Sequence, residues 1–147
     1  MRLTVILAAL LLAACGEQAG ERPIGKKIEI VAPLGLPALP VPEDNPLTAE
    51  TVALGKKLFF DPRLSGDSTV SCASCHSPEH GFSDGRKTSM GMKQQIGMRN
   101  APTVLNAAYN RRQFWDGRAA TLEEQAAGPI ANPIEMSLPH GDCVDRL

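Results

Sequence analysis

Apolar positions fall into distinct regimes along the chain. Residues 1–15, MRLTVILAALLLAAC, form an almost unbroken apolar run behind Arg2. The run is too short to be a stable bilayer anchor, and it has the charged start and apolar middle of a secretory signal. From Glu17 to Pro46 the apolar pattern breaks up under Pro33, Pro37, Pro40, Pro42 and Pro46. Proline fixes φ and has no N–H, so this stretch cannot be helical and favours an extended, semi-rigid spacer. Folded structure is expected from Leu47 onward.

There the spacing changes. Leu47, Thr51, Leu54 and Leu58 share one helical face, Thr48 is a plausible N-cap, and Asp61-Pro62 forces a stop. RLSGDST reads as a loop, and Val70 to His76 is long enough for one or two helical turns. Between Ser77 and Asn100 there is no apolar period, and Pro78, Gly81, Gly85, Gly91 and Gly97 interrupt the stretch, which predicts a long loop. Pro102 is placed to open a second helix through Val104, Leu105 and Ala108. Thr121-Leu122-Glu123-Glu124 has the form of a capping box, with Gly128-Pro129 as its stop. The closing residues PHGDCVDRL carry no element that would close a core. No segment alternates at period two and no repeat is visible, so the expected class is mostly α, with short helices and long loops.

Composition then narrows the function. Lys and Arg number 15 against 16 Asp and Glu, a net charge of −1 with no basic stripe, which removes the electrostatic footprint of a nucleic-acid binder. Aromatic residues make up 4%, little bulk for a core. A large buried cofactor would supply some of the missing apolar surface to a domain of roughly 100 residues.

Leu12-Ala13-Ala14-Cys15 ends the apolar run with small residues before a cysteine, as lipoprotein processing requires; the plainer alternative is an ordinary signal with a stray Cys. Cys15 is therefore the expected lipidation site, holding the chain to a membrane only through acyl chains, at about 0.8 kcal/mol per buried methylene. The expected organisation is a lipoprotein-type signal peptide at 1–15, a linker at 16–46 and a folded domain at 47–147. The mature chain is expected in the periplasm, where a CxxC pair can be oxidised or modified.

The chain has 4 Cys and 3 His, and Cys72-Ala73-Ser74-Cys75-His76 gathers three of these residues. A zinc clip would use the thiolates with His76 and His80, but structural zinc sites usually bring a second ligand pair from a distance, and none is evident. A redox dithiol of thioredoxin type needs a βαβ setting, which the pattern lacks. Haem attachment accounts for every residue of the motif. Cys72 and Cys75 would form thioethers to the two vinyl groups of one porphyrin, and His76 would be the axial iron ligand. Cys143 is left over.

Around this motif, LGKKLFFDPRLSGDSTVSCASCHSPEHGFSDG and RNAPTVLNAAYNRRQFWDGRAATLEEQAAGPIANPIEM closely resemble the N-terminal haem domain of bacterial di-haem cytochrome c peroxidases. Methylamine-utilisation haem proteins share parts of it. The resemblance runs from about Leu47 to Leu147 and implies a c-type cytochrome domain around one covalently attached haem c. It implies reduction of hydrogen peroxide with electrons from a small cytochrome c or copper protein. Family members carry two such domains, whereas this chain has one C-x-x-C-H, so an incomplete copy lacking the second haem domain is expected.

The resemblance also assigns roles. Glu135 would be the acid/base that moves a proton between the peroxide oxygens, and Gln125 its hydrogen-bonding companion. Without the resemblance, the same residues read as an exposed loop carboxylate and a solvated helix face. Trp115 matches a residue between the two haems associated with electron transfer, although a lone Trp is most often packing. Asn100 matches a residue near a calcium ion whose other ligands would come from the second domain. Met92 stands where members resting in a six-coordinate form have a distal histidine. The iron would then be open, or Met92 would be its distal thioether ligand. Met90, Met98 and Met136 are further candidates, and at least three of these four are expected to be solvent-exposed loop residues. The competing functions are a one-haem electron carrier with His76 and Met92 on the iron, and a haem-binding fragment without activity.

Overall fold

The structure is a computed structural model that describes residues 25–147. The expected signal segment, Cys15 and the first part of the expected linker lie outside the described residues. Among those described, four helices are joined by long loops, single 3-10 turns and isolated bridges, with no sheet. No helix among them is long and apolar enough to cross a membrane.

Helix α1 spans Ala49–Phe59 and begins as its sequence dictates. Thr48, fully buried, accepts at Oγ1 from the Thr51 N–H at 3.1 Å, and the Thr51 hydroxyl accepts from the Thr48 N–H at 2.8 Å. The helix ends ahead of Asp61, whose carboxylate caps the 3-10 turn Pro62–Leu64 and forms an ion pair with Arg63 at 2.6 Å. Residues 25–46 contain no helix, as the prolines require, but they are tied to the domain at both ends. Lys27 bridges to Thr48, Ile28 N–H donates to Leu47 O at 3.0 Å, and Asn45 Nδ2 donates to Glu123 at 3.5 Å.

Helix α2 is the single turn Cys72–Cys75. The expected helix after Pro102 does not form. Pro102 and Val104 are committed elsewhere: Pro102 O accepts from His76, and Val104 N–H donates to Phe82 O at 3.2 Å. Asn106 then turns left-handed (φ 60°), and only the 3-10 turn Ala107–Tyr109 follows.

Helix α3, Leu122–Ala131, is capped by Thr121, which accepts at Oγ1 from the Glu124 N–H at 3.1 Å. It runs through Gly128-Pro129 rather than stopping there. A Cβ on Gly128 would sit 3.0 Å from the Phe114 ring, so glycine here serves close packing inside the helix. Pro129 lacks the N–H that would donate to the carbonyl four residues before it, a local loss the helix absorbs close to its end. The exposed carbonyls are then used by the returning chain: Met136 N–H to Pro129 O at 3.2 Å and Leu138 N–H to Ile130 O at 2.8 Å.

The final segment, expected to hold no element, forms α4, His140–Asp145. Its short sequence has no clear apolar stripe, and long-range polar contacts hold it in place. Arg146 Nη1 donates to Ser65 O at 2.7 Å, and His140 Nε2 donates to Ala127 O at 2.8 Å.

The apolar core is small, made of Leu64, Met92, Ala101, Ala119, Met136 and Leu138. Two of the methionines expected on the surface are therefore core residues. Met90 is partly buried, and only Met98, 94% exposed, matches the expectation.

Candidate functional site

The motif turn places Cys72 and Cys75 as free thiols, both partly buried. Ser71 N–H donates to the Ser74 hydroxyl at 2.9 Å, and His76 N–H donates to Cys72 O at 2.9 Å, closing the turn. Burial pushes both thiols up; for Cys75 the charges of Asp84 and Glu135 push in the same direction. The Cys75 thiol donates to Met90 O at 3.6 Å.

His76 is fixed from behind. Its Nδ1 lies 3.0 Å from Pro102 O and 3.2 Å from Phe82 O. Carbonyls only accept, so Nδ1 is the donor, and the tautomer this selects leaves Nε2 as the nitrogen able to bind a metal. Neither acceptor follows from the motif's spacing. Pro102 is the nearest to a sequence signal, because a proline after Ala101 holds that chain extended.

Glu135 enters from the turn after α3. Its carboxyl is partly buried, and Asn132 Nδ2 donates to Oε1 at 2.9 Å. Burial raises its pKa above the ordinary carboxylate value, against the opposing pull of Asn132, Arg118 and His76. Glu135 therefore sits within electrostatic reach of both Cys75 and His76, and these three predicted residues converge. Asn132 was not among the expected residues; its spacing of three from Glu135 across an Asn-Pro turn is the signal that identifies it. Gln125 lies on α3, partly buried, and no hydrogen bond joins its side chain to Glu135 among the described residues.

Met92 lies on a loop packed against this same turn. Its N–H donates to Glu135 O at 2.8 Å, and Gln95 Nε2 donates to Pro133 O at 3.0 Å. A Cβ on Gly91 would stand 2.7 Å from Glu135 Cα, so no larger residue fits there. The Met92 side chain is 6% exposed, with Sδ 3.4 Å from where a Gly66 Cβ would be. Trp115 is different: it is 61% exposed, away from the core, and Nε1 donates to Asn100 O at 3.2 Å. Arg118, in the same loop, stacks over Phe114 at 3.5 Å and pairs with Asp116. No group of three or more His, Cys, Asp or Glu side chains that could hold a metal ion occurs around Asn100 or elsewhere among the described residues.

The donor set fits a covalent haem: two unpaired thiols on one helical turn, and an adjacent imidazole with its outer nitrogen free. Fold and donors together define a c-type cytochrome domain. The chain matches the family model of the di-haem cytochrome c peroxidase over residues 49–147. It is 49% identical to a cytochrome c551 peroxidase of Nitrosomonas europaea over 138 residues, covering 94% of this chain and 38% of that protein. It is 57% identical to a cytochrome c peroxidase of Escherichia coli K12 over 101 residues, covering 69% of this chain and 22% of the relative. A crystal structure of a MauG-like protein associated with microbial copper homeostasis superposes with a TM-score of 0.71 at 38% identity, over 78% of this chain and 34% of that one. The chain belongs to the di-haem cytochrome c peroxidase family. It spans between 22% and 38% of the length of these two curated relatives.

Proposed function

We propose that this chain is a haem c peroxidase domain that reduces hydrogen peroxide to water with electrons from a small periplasmic cytochrome c or copper protein. Cys72 and Cys75 bear the haem, and His76 holds its iron through Nε2. The carrying observation is Glu135, a partly buried carboxyl with a raised pKa, placed near the sulfur of Cys75 and the ring of His76.

Reduction of H₂O₂ to two waters takes two electrons and two protons. A haem held by Cys72, Cys75 and His76 would supply the redox-active iron for this two-electron reduction. Glu135 handles the proton. Oε1 is held by Asn132, so Oε2, which has no hydrogen bond among the described residues, takes the proton from the near oxygen and returns it to the departing one. Gln125 orients peroxide from α3, and exposed Trp115 is the route by which electrons arrive. Asn100 would contribute to a calcium site only together with ligands from another domain. Met92 docks its loop on the Glu135 turn through its N–H and its buried side chain, and would not serve as a haem ligand. Cys15, as the lipidated first residue left after signal cleavage, anchors the mature chain to a membrane.

The test is the single-turnover rate of peroxide reaction in haem-loaded protein. Glu135→Gln is expected to lower it by about 10²-fold or more, the usual contribution of acid–base catalysis. An unchanged rate removes Glu135 from this role. The electron-carrier reading predicts a Met-to-ferric-iron absorption band and indifference to peroxide.

A further inference from the structure

Asp84 lies on the loop after the haem motif, and none of the roles above uses it. Its side chain is 8% exposed. Oδ1 accepts from the Arg86 N–H at 3.0 Å, which closes a local turn. Oδ2 is buried with no hydrogen-bond partner, the one such side-chain atom among the described residues. The neighbouring cation does not neutralise it: the Arg86 guanidinium is turned away, with Nη1 3.2 Å from Met90 Sδ. The ion pairs among the described residues are Arg63–Asp61 and Arg118–Asp116, neither involving Asp84.

The location gives this orphan oxygen a meaning. Asp84 lines a cleft of about 460 Å³ that also touches Ser74 of the motif turn, with Asp67, Arg86 and Lys93 at its exposed rim. The Ser77–Ser83 bridge, with Ser77 N–H donating to Ser83 O at 3.0 Å, folds the loop that carries Asp84 back beside the motif. A buried carboxylate oxygen without a donor is costly to fold around, so its presence calls for a compensating positive centre. Ferric haem carries one net positive charge at its core, Fe³⁺ within a porphyrin dianion, and ferrous haem carries none. A fixed negative charge in the cleft that borders the motif turn therefore favours the ferric state.

Resting on the haem attachment read above, we propose that Asp84 is an electrostatic positioning residue that lowers the reduction potential of the haem. The step it biases is the one-electron couple Fe(III) + e⁻ ⇌ Fe(II). A low potential favours passing electrons outward to peroxide over resting in the ferrous form.

The test is a spectroelectrochemical titration, with chemical mediators, of the haem-loaded protein. Asp84→Asn keeps an oxygen to accept the Arg86 N–H and removes the charge. It should shift the ferric/ferrous equilibrium toward ferrous by about tenfold, 59 mV for one electron. Asp84→Ser, which also retains an acceptor, should give the same rise and serves if the Asn variant does not load haem. Asp84→Glu, which keeps the charge, should hold the midpoint close to that of the native chain, and Asp67→Asn, at the exposed rim, should change the equilibrium less than twofold because water and salt screen it. An unchanged midpoint in the Asn and Ser variants overturns the proposal. So does an equal rise in the Asn and Glu variants, which would mark a purely structural role. The titration reads the couple whether or not the protein reduces peroxide, and a chain that carries no haem at all fails at the earlier step, visible by mass.

Discussion

The Met92 N–H donates to Glu135 O at 2.8 Å, joining the long loop after the haem motif to the turn that carries the proposed acid/base. With Gln95 Nε2 on Pro133 O, this backbone bond docks the methionine loop on the Glu135 turn.

Gly91 makes this contact feasible. Gly91→Ala would drive a Cβ into the backbone at Ile134 and Glu135. The expected cost is about 1–3 kcal/mol, the range for overpacking, read from denaturant unfolding. The proton-transfer rate should fall with it, since the Glu135 turn must move; full stability and full rate together would contradict the docking.

Met92→Ala separates packing from ligation. Loss of a core methionine should cost about 2–5 kcal/mol. The visible spectrum of the ferric protein should stay unchanged. A changed spectrum would place the thioether on the iron and favour the electron carrier.

Glu135 gives the chain a pH signature. Burial raises its folded-state pKa above the ordinary value of 4.5, so the folded chain holds the proton more tightly than the unfolded one. Its contribution is fully present below pH 4.5 and is lost as pH rises through the folded-state pKa. Glu135→Gln, always neutral, should therefore gain stability over the native chain near neutral pH and show little difference under acid conditions. In the same window the peroxide rate should climb with pH as the carboxylate forms, and the variant should lack that limb. Equal pH profiles for the two proteins would show that Glu135 titrates as an ordinary surface acid.

Thr48→Ala tests the fold apart from the chemistry. Loss of the buried cap on α1 should cost about 1 kcal/mol and leave the peroxide rate unaltered.

Much of this was legible in the chain because the signals are local. Thr48 and Thr121 cap the helices they precede, and Asp61-Pro62 ends α1, since capping and proline sterics act within a few residues. The motif turn is legible for the same reason. What stayed hidden depends on distant partners. The helix expected after Pro102 gave way because His76 and Phe82 claim its backbone groups, and Gly128-Pro129 failed to stop α3 because Phe114 packs on the glycine. Helix α4 owes its place to Ser65 and Ala127, far away in sequence. Within the site, Cys72, Cys75, His76 and Glu135 could be named from the chain as candidates, whereas Asn132 as the partner of Glu135 and the orphan oxygen of Asp84 required coordinates.

The central claim is covalent haem at Cys72 and Cys75. The most direct measurement is the intact mass of mature protein from a strain competent in cytochrome c maturation. The account predicts the polypeptide plus one haem, stable to denaturation, with the stable adduct lost when both cysteines are replaced by serine. A mass equal to the bare polypeptide would contradict it.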